Sequence, residues 1–256
     1  MPVPPIKWTP SPNFSSRGGA RVRLIVAHDC EGGYAGSIAW FAMAQSRVSA
    51  HLVLKEDGSE ATQMVAWGNK AWHACNANPI SEGIEAAGFS AKGFEAAEWD
   101  ALAALVAWRL HANSIPCQEA TAANDWTGFT EHAKLGAWGG GHHDLTEDPN
   151  KWAAFVARVH NAYAGVAPTL APRTGAGVPI SPAGFKPSGT ERCDEPVGSI
   201  AWAQARLNAL GFARPLLDVD GLEGLMTEHA LTHFQQARGL FINGELTAAT
   251  VKALAA

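Results

Sequence analysis

Residues 47–89, RVSAHLVLKEDGSEATQMVAWGNKAWHACNANPISEGIEAAGF, hold the pattern from which the fold is read. Within them, HLVLKEDGSEATQMV (51–65) consists of two apolar arms on either side of Asp57-Gly58. That dipeptide tolerates the positive φ of a tight turn, so the arms are expected to pair as a β-hairpin. Upstream, RVRLIVA (21–27) alternates and then turns continuously apolar, the form of a strand entering a core, which puts His28 at its end. Downstream, residues 94–112 repeat apolar side chains at three- and four-residue intervals and are rich in Ala and Leu, predicting an amphipathic helix. A second helix is expected from about Pro149, carrying WAAFVARVHNAY (152–163). Strands interleaved with helices predict an α/β domain with a mixed central sheet flanked by helices.

After this region the composition changes. Residues 168–196 are crowded with Pro, Gly, Ser and Thr and show no periodicity, as in a linker. Beyond them, short helical patterns separated by glycines leave room for a small all-α domain of three helices. The expected division is a first domain at 1–166, a linker at 167–196 and a second domain at 197–256. A net charge of -5, with 17% charged residues, leaves no basic footprint for nucleic acid or an anionic membrane. The proline-rich start, MPVPPIKWTPSPNF, lacks the basic and apolar parts of a signal peptide, and no later run is long enough to span a bilayer. The reading is therefore a chain without signal peptide or membrane anchor, and a monomer by default. Four cysteines, Cys30, Cys75, Cys117 and Cys193, lie far apart without a CxxC pair and are expected to be reduced thiols.

Candidate metal ligands gather in two places. One is His28 in LIVAHDCEGG; the other is TEHAKLGAWGGGHHDLTED (130–148), which holds His132, His142, His143, Asp144 and Asp148. Catalytic zinc takes three nitrogen, oxygen or sulfur ligands and leaves a fourth position to water, a set these residues can supply. Any one of these histidines would serve equally as a hydrogen-bonded structural group; their clustering is what points to metal.

The order SAH, a hairpin with Asp-Gly, AWHA and then EGIE across residues 47–89 resembles the central block of the zinc-dependent N-acetylmuramoyl-L-alanine amidases. That family includes phage lysozyme-amidases, the bacterial anhydro-muropeptide amidase and animal peptidoglycan recognition proteins, and the likeness extends over roughly residues 20–160. The resemblance implies hydrolysis of the amide between N-acetylmuramic acid and L-alanine, with one Zn2+ per chain held by His28, His132 and an acidic residue. The family's DPG turn is absent here; Asp144 after GGGHH fits a shortened version, and Asp148 in EDP competes with it. The resemblance further implies that Glu85 is the general base, with Glu82 an inert comparison. It places His142 where relatives carry an oxyanion-stabilising lysine. His51 and His73 match positions that are not ligands, and with Trp72 and Asn76 they are expected to bind substrate or to orient neighbouring groups.

The segment 200–254, with QARLNALGF, DVDGLEG, FQQARGL and GELTAATVKAL, resembles the three-helix peptidoglycan-binding module of wall hydrolases. Leu207, Leu210, Ala230, Phe234 and Leu254 are its expected core. DVDGLEG looks like a calcium loop but lacks the acidic twelfth position, and His229 and His233 lack the glutamate of a zinc protease motif, so both are expected to be structural or surface features. Together the two resemblances imply a bacteriolytic, antimicrobial phage endolysin that acts on peptidoglycan. It would be made in the host cytoplasm and released by a holin to the periplasmic wall. A cytoplasmic recycling amidase for anhydro-muropeptides and a non-catalytic recognition protein are the alternatives.

Overall fold

The computed structural model describes residues 2–89, 92–142, 145–146, 149–165, 200–217 and 224–255. The expected linker, the DVDGLEG turn, and Asp144 with Asp148 lie outside the described residues. The chain divides into two compact units, 1–189 and 190–256.

The first unit is built on a sheet whose strands are β1 (Ile6–Trp8), β3 (Leu24–Asp29), β4 (Leu52–Leu54), β5 (Ala61–Gln63), β7 (Ser81–Ala86) and β8 (Gly128–Glu131), in the order β1-β5-β4-β7-β3-β8. Only β4 and β5 pair antiparallel, so the sheet is mixed. A separate antiparallel pair joins β2 (Phe14–Ser16) to β6 (Asn69–Ala71). The expected hairpin is β4–β5, with Leu52 opposite Gln63. Its turn needs a glycine twice over: Gly58 has φ 69°, and a Cβ there would stand 2.6 Å from the Ala97 carbonyl oxygen.

Among the described residues, three helices accompany the sheet: α1 (Tyr34–Ala42), α2 (Ala96–Ala112) and α3 (Pro149–Gly165). The helix expected from Phe94 begins two residues later, because Glu95 is extended at the N-cap position and Phe94 turns aside to meet Trp99 edge-on, centroids 5.2 Å apart.

Strands β3 and β7 are buried along their whole length, as expected for central parallel strands covered on both faces. Strand alternation then sorts their side chains. Ile25 and Ala27 of β3 and Ile84 and Ala86 of β7 pack in one core with Leu102, Leu105, Val106 and Leu110 of α2 and Phe155 and Val159 of α3. Leu24 and Val26 point to the opposite face, into a smaller cluster with Ala74, Ala77 and Leu135. Each fully buried leucine of the α2 face contributes about 2 kcal/mol through area removed from water.

The described residues of the second unit form three helices, α4 (Ile200–Ala209), α5 (Leu225–Ala237) and α6 (Ala248–Ala255). Leu207, Ala230, Leu231, Phe234 and Leu254 form its core, with Leu210 partly buried against it. The buried Gln235 amide replaces missing backbone partners in the turn before α6. Its Nε2 donates to the Glu245 carbonyl at 2.8 Å, and its Oε1 accepts from the Asn243 and Gly244 amides at 3.0 and 2.9 Å. His229 and His233 are exposed.

One carboxyl in the first unit is poorly served. Glu98, in the first turn of α2, is 3% exposed and its Oε1 has no hydrogen-bond partner. Burial, reinforced by the carboxylates of Glu56, Asp57 and Glu95, pushes it up to about 8 from an ordinary 4.5. The folded state therefore holds a proton that the unfolded state has released, and stability falls as pH rises through that interval. Denaturant midpoints measured at about pH 5 and about pH 9 should fall further for the wild type than for Glu98→Gln, and the variant should be the more stable at the alkaline end.

Candidate active site

The parallel register of β3 and β7 sets His28 opposite Glu85, on the face away from α2. His132 directly follows β8, the strand on the other side of β3. Three neighbouring parallel strands thus deliver His28, Glu85 and His132 to one place at their C-terminal ends, where open α/β sheets commonly bind ligands. All three are buried, at 1%, 7% and 2% exposure.

His28 Nδ1 lies 3.0 Å from His132 Nδ1 and 3.9 Å from Glu85 Oε1. His132 Nε2 is 2.7 Å from the Gly139 carbonyl oxygen, which can only accept. In the neutral ring the proton of His132 is therefore on Nε2, and Nδ1 presents its lone pair towards His28. Two nitrogens bound at about 2.05 Å to one tetrahedral zinc stand about 3.3 Å apart, so this pair fits such an ion with little adjustment. Among the described residues no group of three or more ligating side chains forms. The third expected ligand, Asp144, and its competitor, Asp148, are not among them. Their described neighbours are anchored at the same strand end: His142 stacks on His132 with centroids 4.5 Å apart, Leu145 is buried in the main core, and the Thr146 amide donates to Glu131 Oε2 at 2.9 Å.

Behind His28 stands His73, whose Nδ1 is 2.9 Å from His28 Nε2 and whose Nε2 is 3.1 Å from Ser81 Oγ. The His73 ring lies flat over Gly83 of β7, where a Cβ would come within 2.5 Å of its Cγ. Asn78 Oδ1 holds this bend by accepting from the His73 and Ala74 amides at 3.1 and 2.6 Å. Burial and the neighbouring imidazoles keep the His73 pKa well below its ordinary value.

Several expectations are corrected. Of its two expected roles, His51 fits the orienting one: it is fully buried, accepts the Gly83 amide at 3.1 Å through Nδ1 and stacks on Trp67 at 5.8 Å. Burial, then the charge of Arg17, holds its pKa well below the ordinary value. Trp72 is likewise buried at 3% exposure, with its indole N–H donating to Ser15 Oγ at 3.0 Å. Of the four candidates for substrate contact, His73 is partly exposed and Asn76 exposed. Cys75, half-buried with φ 49°, is disulfide-bonded, against the expectation of reduced thiols, while Cys30 and Cys117 are free. Burial and the Glu85 carboxylate push the Cys30 thiol up, which denies it the role of a thiolate nucleophile.

Glu82 is not inert. It lies on the α2 face of β7, 1% exposed, and accepts from Arg109 Nε at 2.7 Å and Nη2 at 3.0 Å. The guanidinium carbon sits 3.6 Å from the Trp67 ring centroid. Arg17, also missed by the sequence reading, donates to the Asn78 and Pro79 carbonyls at 3.1 and 3.0 Å. Burial lowers its pKa to about 10. Glu82 is recognisable from its spacing, since three residues along a strand reverse the face; Arg17 carries no such signal.

The family model described as N-acetylmuramoyl-L-alanine amidase matches residues 18–151, and one for a peptidoglycan binding domain matches residues 197–254. N-acetylmuramoyl-L-alanine amidase A of Achromobacter lyticus is 34% identical over 123 residues, 47% of this chain and 67% of that protein. Among solved structures, the Staphylococcus aureus hydrolase AmiA in complex with its ligand shares the fold, with a TM-score of 0.51 and 16% identity over 66% of this chain and 89% of that one. A mutant endolysin from Bacillus subtilis gives a TM-score of 0.44 at 20% identity, over 60% of this chain and 97% of that one.

The two glutamates of β7 should separate in denaturant titrations. Removing one partner of a buried ion pair strands the other charge, so Glu82→Ala is expected to lose about 3–5 kcal/mol of unfolding free energy. Glu85→Gln should stay within about 1 kcal/mol of wild type; equal losses would give Glu85 a structural role instead.

Proposed function

The chain belongs to the N-acetylmuramoyl-L-alanine amidase family and is a peptidoglycan amidase with a wall-binding module, and on that premise we propose that it is a zinc-dependent endolysin. The observation that carries the zinc reading is the pair of imidazole nitrogens 3.0 Å apart beside a buried carboxylate. His28 and His132 would hold the ion, with Asp144 as the third ligand. Bound zinc supplies Lewis acidity, polarising the amide carbonyl and lowering the pKa of water.

The chain's own groups do the rest. Glu85 takes the proton of the attacking water as general base and returns it to the amine nitrogen of the departing L-alanine. His142, exposed and stacked on His132, donates an N–H to the carbonyl oxygen as negative charge develops there. The buried walls around His28 and His132 keep bulk water from competing with these hydrogen bonds.

The second unit supports a polymeric substrate. A tether raises the local concentration of enzyme on an insoluble wall, whereas a soluble anhydro-muropeptide gains nothing from it. The disulfide at Cys75 supports a working place outside the reducing cytoplasm. The proposed setting is the periplasmic wall, reached from the host cytoplasm through a holin, with the enzyme acting as a monomer.

Two measurements test this reading: zinc content, and release of L-alanine amino termini from purified sacculi. Wild type should carry one zinc per chain and release alanine amines. Asp144→Ala should lose both and Asp148→Ala neither, while Glu85→Gln should keep zinc and lose activity by about 10²- to 10⁴-fold. Sacculus binding without alanine release would make the chain a recognition protein. Faster turnover of soluble anhydro-muropeptides than of sacculi would make it a recycling enzyme.

A further inference from the structure

We propose that Ser81, His73 and His28 form a reversible tautomer chain, donating in one direction when the space between His28 and His132 is empty and in the other when it holds a cation. His73 is then a positioning residue that sets which nitrogen of His28 carries the proton. The inference rests on the zinc reading of the same site and adds to it the means by which the protein accommodates both states.

One end of the chain is fixed. The Gly139 carbonyl holds the proton of the neutral His132 ring on Nε2, so His132 Nδ1 accepts. His28 Nδ1 faces it at 3.0 Å. With no cation present, two acceptors at that distance would repel, so His28 carries its proton on Nδ1 and donates it to His132. His28 Nε2 is then an acceptor, and the ring nitrogen 2.9 Å away, His73 Nδ1, must donate to it. That leaves His73 Nε2 as an acceptor, and the Ser81 hydroxyl, 3.1 Å away, donates.

A cation needs the lone pair of His28 Nδ1, and every link then reverses. The His28 proton sits on Nε2 and is donated to His73 Nδ1; the His73 proton sits on Nε2 and is donated to Ser81 Oγ. Each side chain keeps one proton in both states, so none is released from the chain and no ring nitrogen in it is left without a partner. The arrangement requires a terminal group that both donates and accepts. A serine hydroxyl does so by rotating, whereas a carbonyl or an ammonium would lock one direction.

The test uses the full-length chain with 15N-labelled histidine. Two-bond 1H–15N correlation spectra, which separate Nδ1–H from Nε2–H rings, are recorded in chelator and again with one equivalent of Zn2+. His28 and His73 should both pass from Nδ1–H to Nε2–H while His132 remains Nε2–H. In chelator-competition titrations, His73→Leu should weaken zinc binding about 10- to 100-fold. His73→Asn, whose amide can flip to donate or accept, should recover most of that loss. Ser81→Ala, a smaller change that spares the His73 ring, should weaken binding several-fold. An unchanged His73 tautomer on zinc addition, or a folded His73→Leu or Ser81→Ala binding zinc within twofold of wild type, overturns the proposal. A wild-type chain that takes up no zinc instead overturns the metal reading beneath it.

Discussion

The side-by-side register of β3 and β7 is the constraint on which the site depends. In a parallel pair, aligned residues share a face, so the match of His28 with Glu85 places an imidazole and a carboxylate together without any loop having to be shaped for it. The same alternation sends the next titratable residue of β7, Glu82, through the sheet to Arg109 on α2. One short strand therefore carries the candidate site's carboxylate on one face and an ion pair on the other, and β8 adds His132 by ending opposite Ala27, one residue before His28.

The site face carries an unusual polar load. Four imidazoles, a carboxylate and the Arg17 guanidinium are buried or partly buried here, where an unsatisfied polar group costs roughly 1–3 kcal/mol. The load is borne through hydrogen bonds with main-chain groups: the Gly83 amide donates to His51, Arg17 donates to the Asn78 and Pro79 carbonyls, and His132 donates to the Gly139 carbonyl. The opposite face carries the dense apolar core of α2 and α3, and its burial offsets the weaker apolar packing around the site.

Much of this was legible in the sequence, for physical reasons that differ from one element to the next. Asp57-Gly58 announces its hairpin because few dipeptides tolerate that turn, and α2 announces itself by its period. The meeting of His28 with His132 spans 104 residues, and no local pattern encodes such a distance; only the likeness to a family suggested it. For His51 and Trp72 the short motifs left substrate contact and an orienting role both open, because depth is not written in the sequence; both side chains are buried. Cys75 was misread because spacing along a chain says little about which thiols approach one another. The parity of Glu82 and Glu85 was present in the letters, but the arginine that answers Glu82 sits on another element, 27 residues away.

Gly83 carries a consequence for anyone who engineers this chain. A glycine inside a strand costs roughly 0.5–1 kcal/mol against alanine, which makes it an obvious target for improving heat tolerance. Here the missing methyl is the seat of an imidazole: the His73 ring occupies the volume a side chain would claim. An alanine there would press its methyl 2.5 Å from the root of a ring held on both sides by hydrogen bonds, and overpacking of that kind costs roughly 1–3 kcal/mol, more than the propensity gain. A screen for folding alone would therefore keep this glycine, and a library built on strand propensity would spend its effort at a position that packing has already closed.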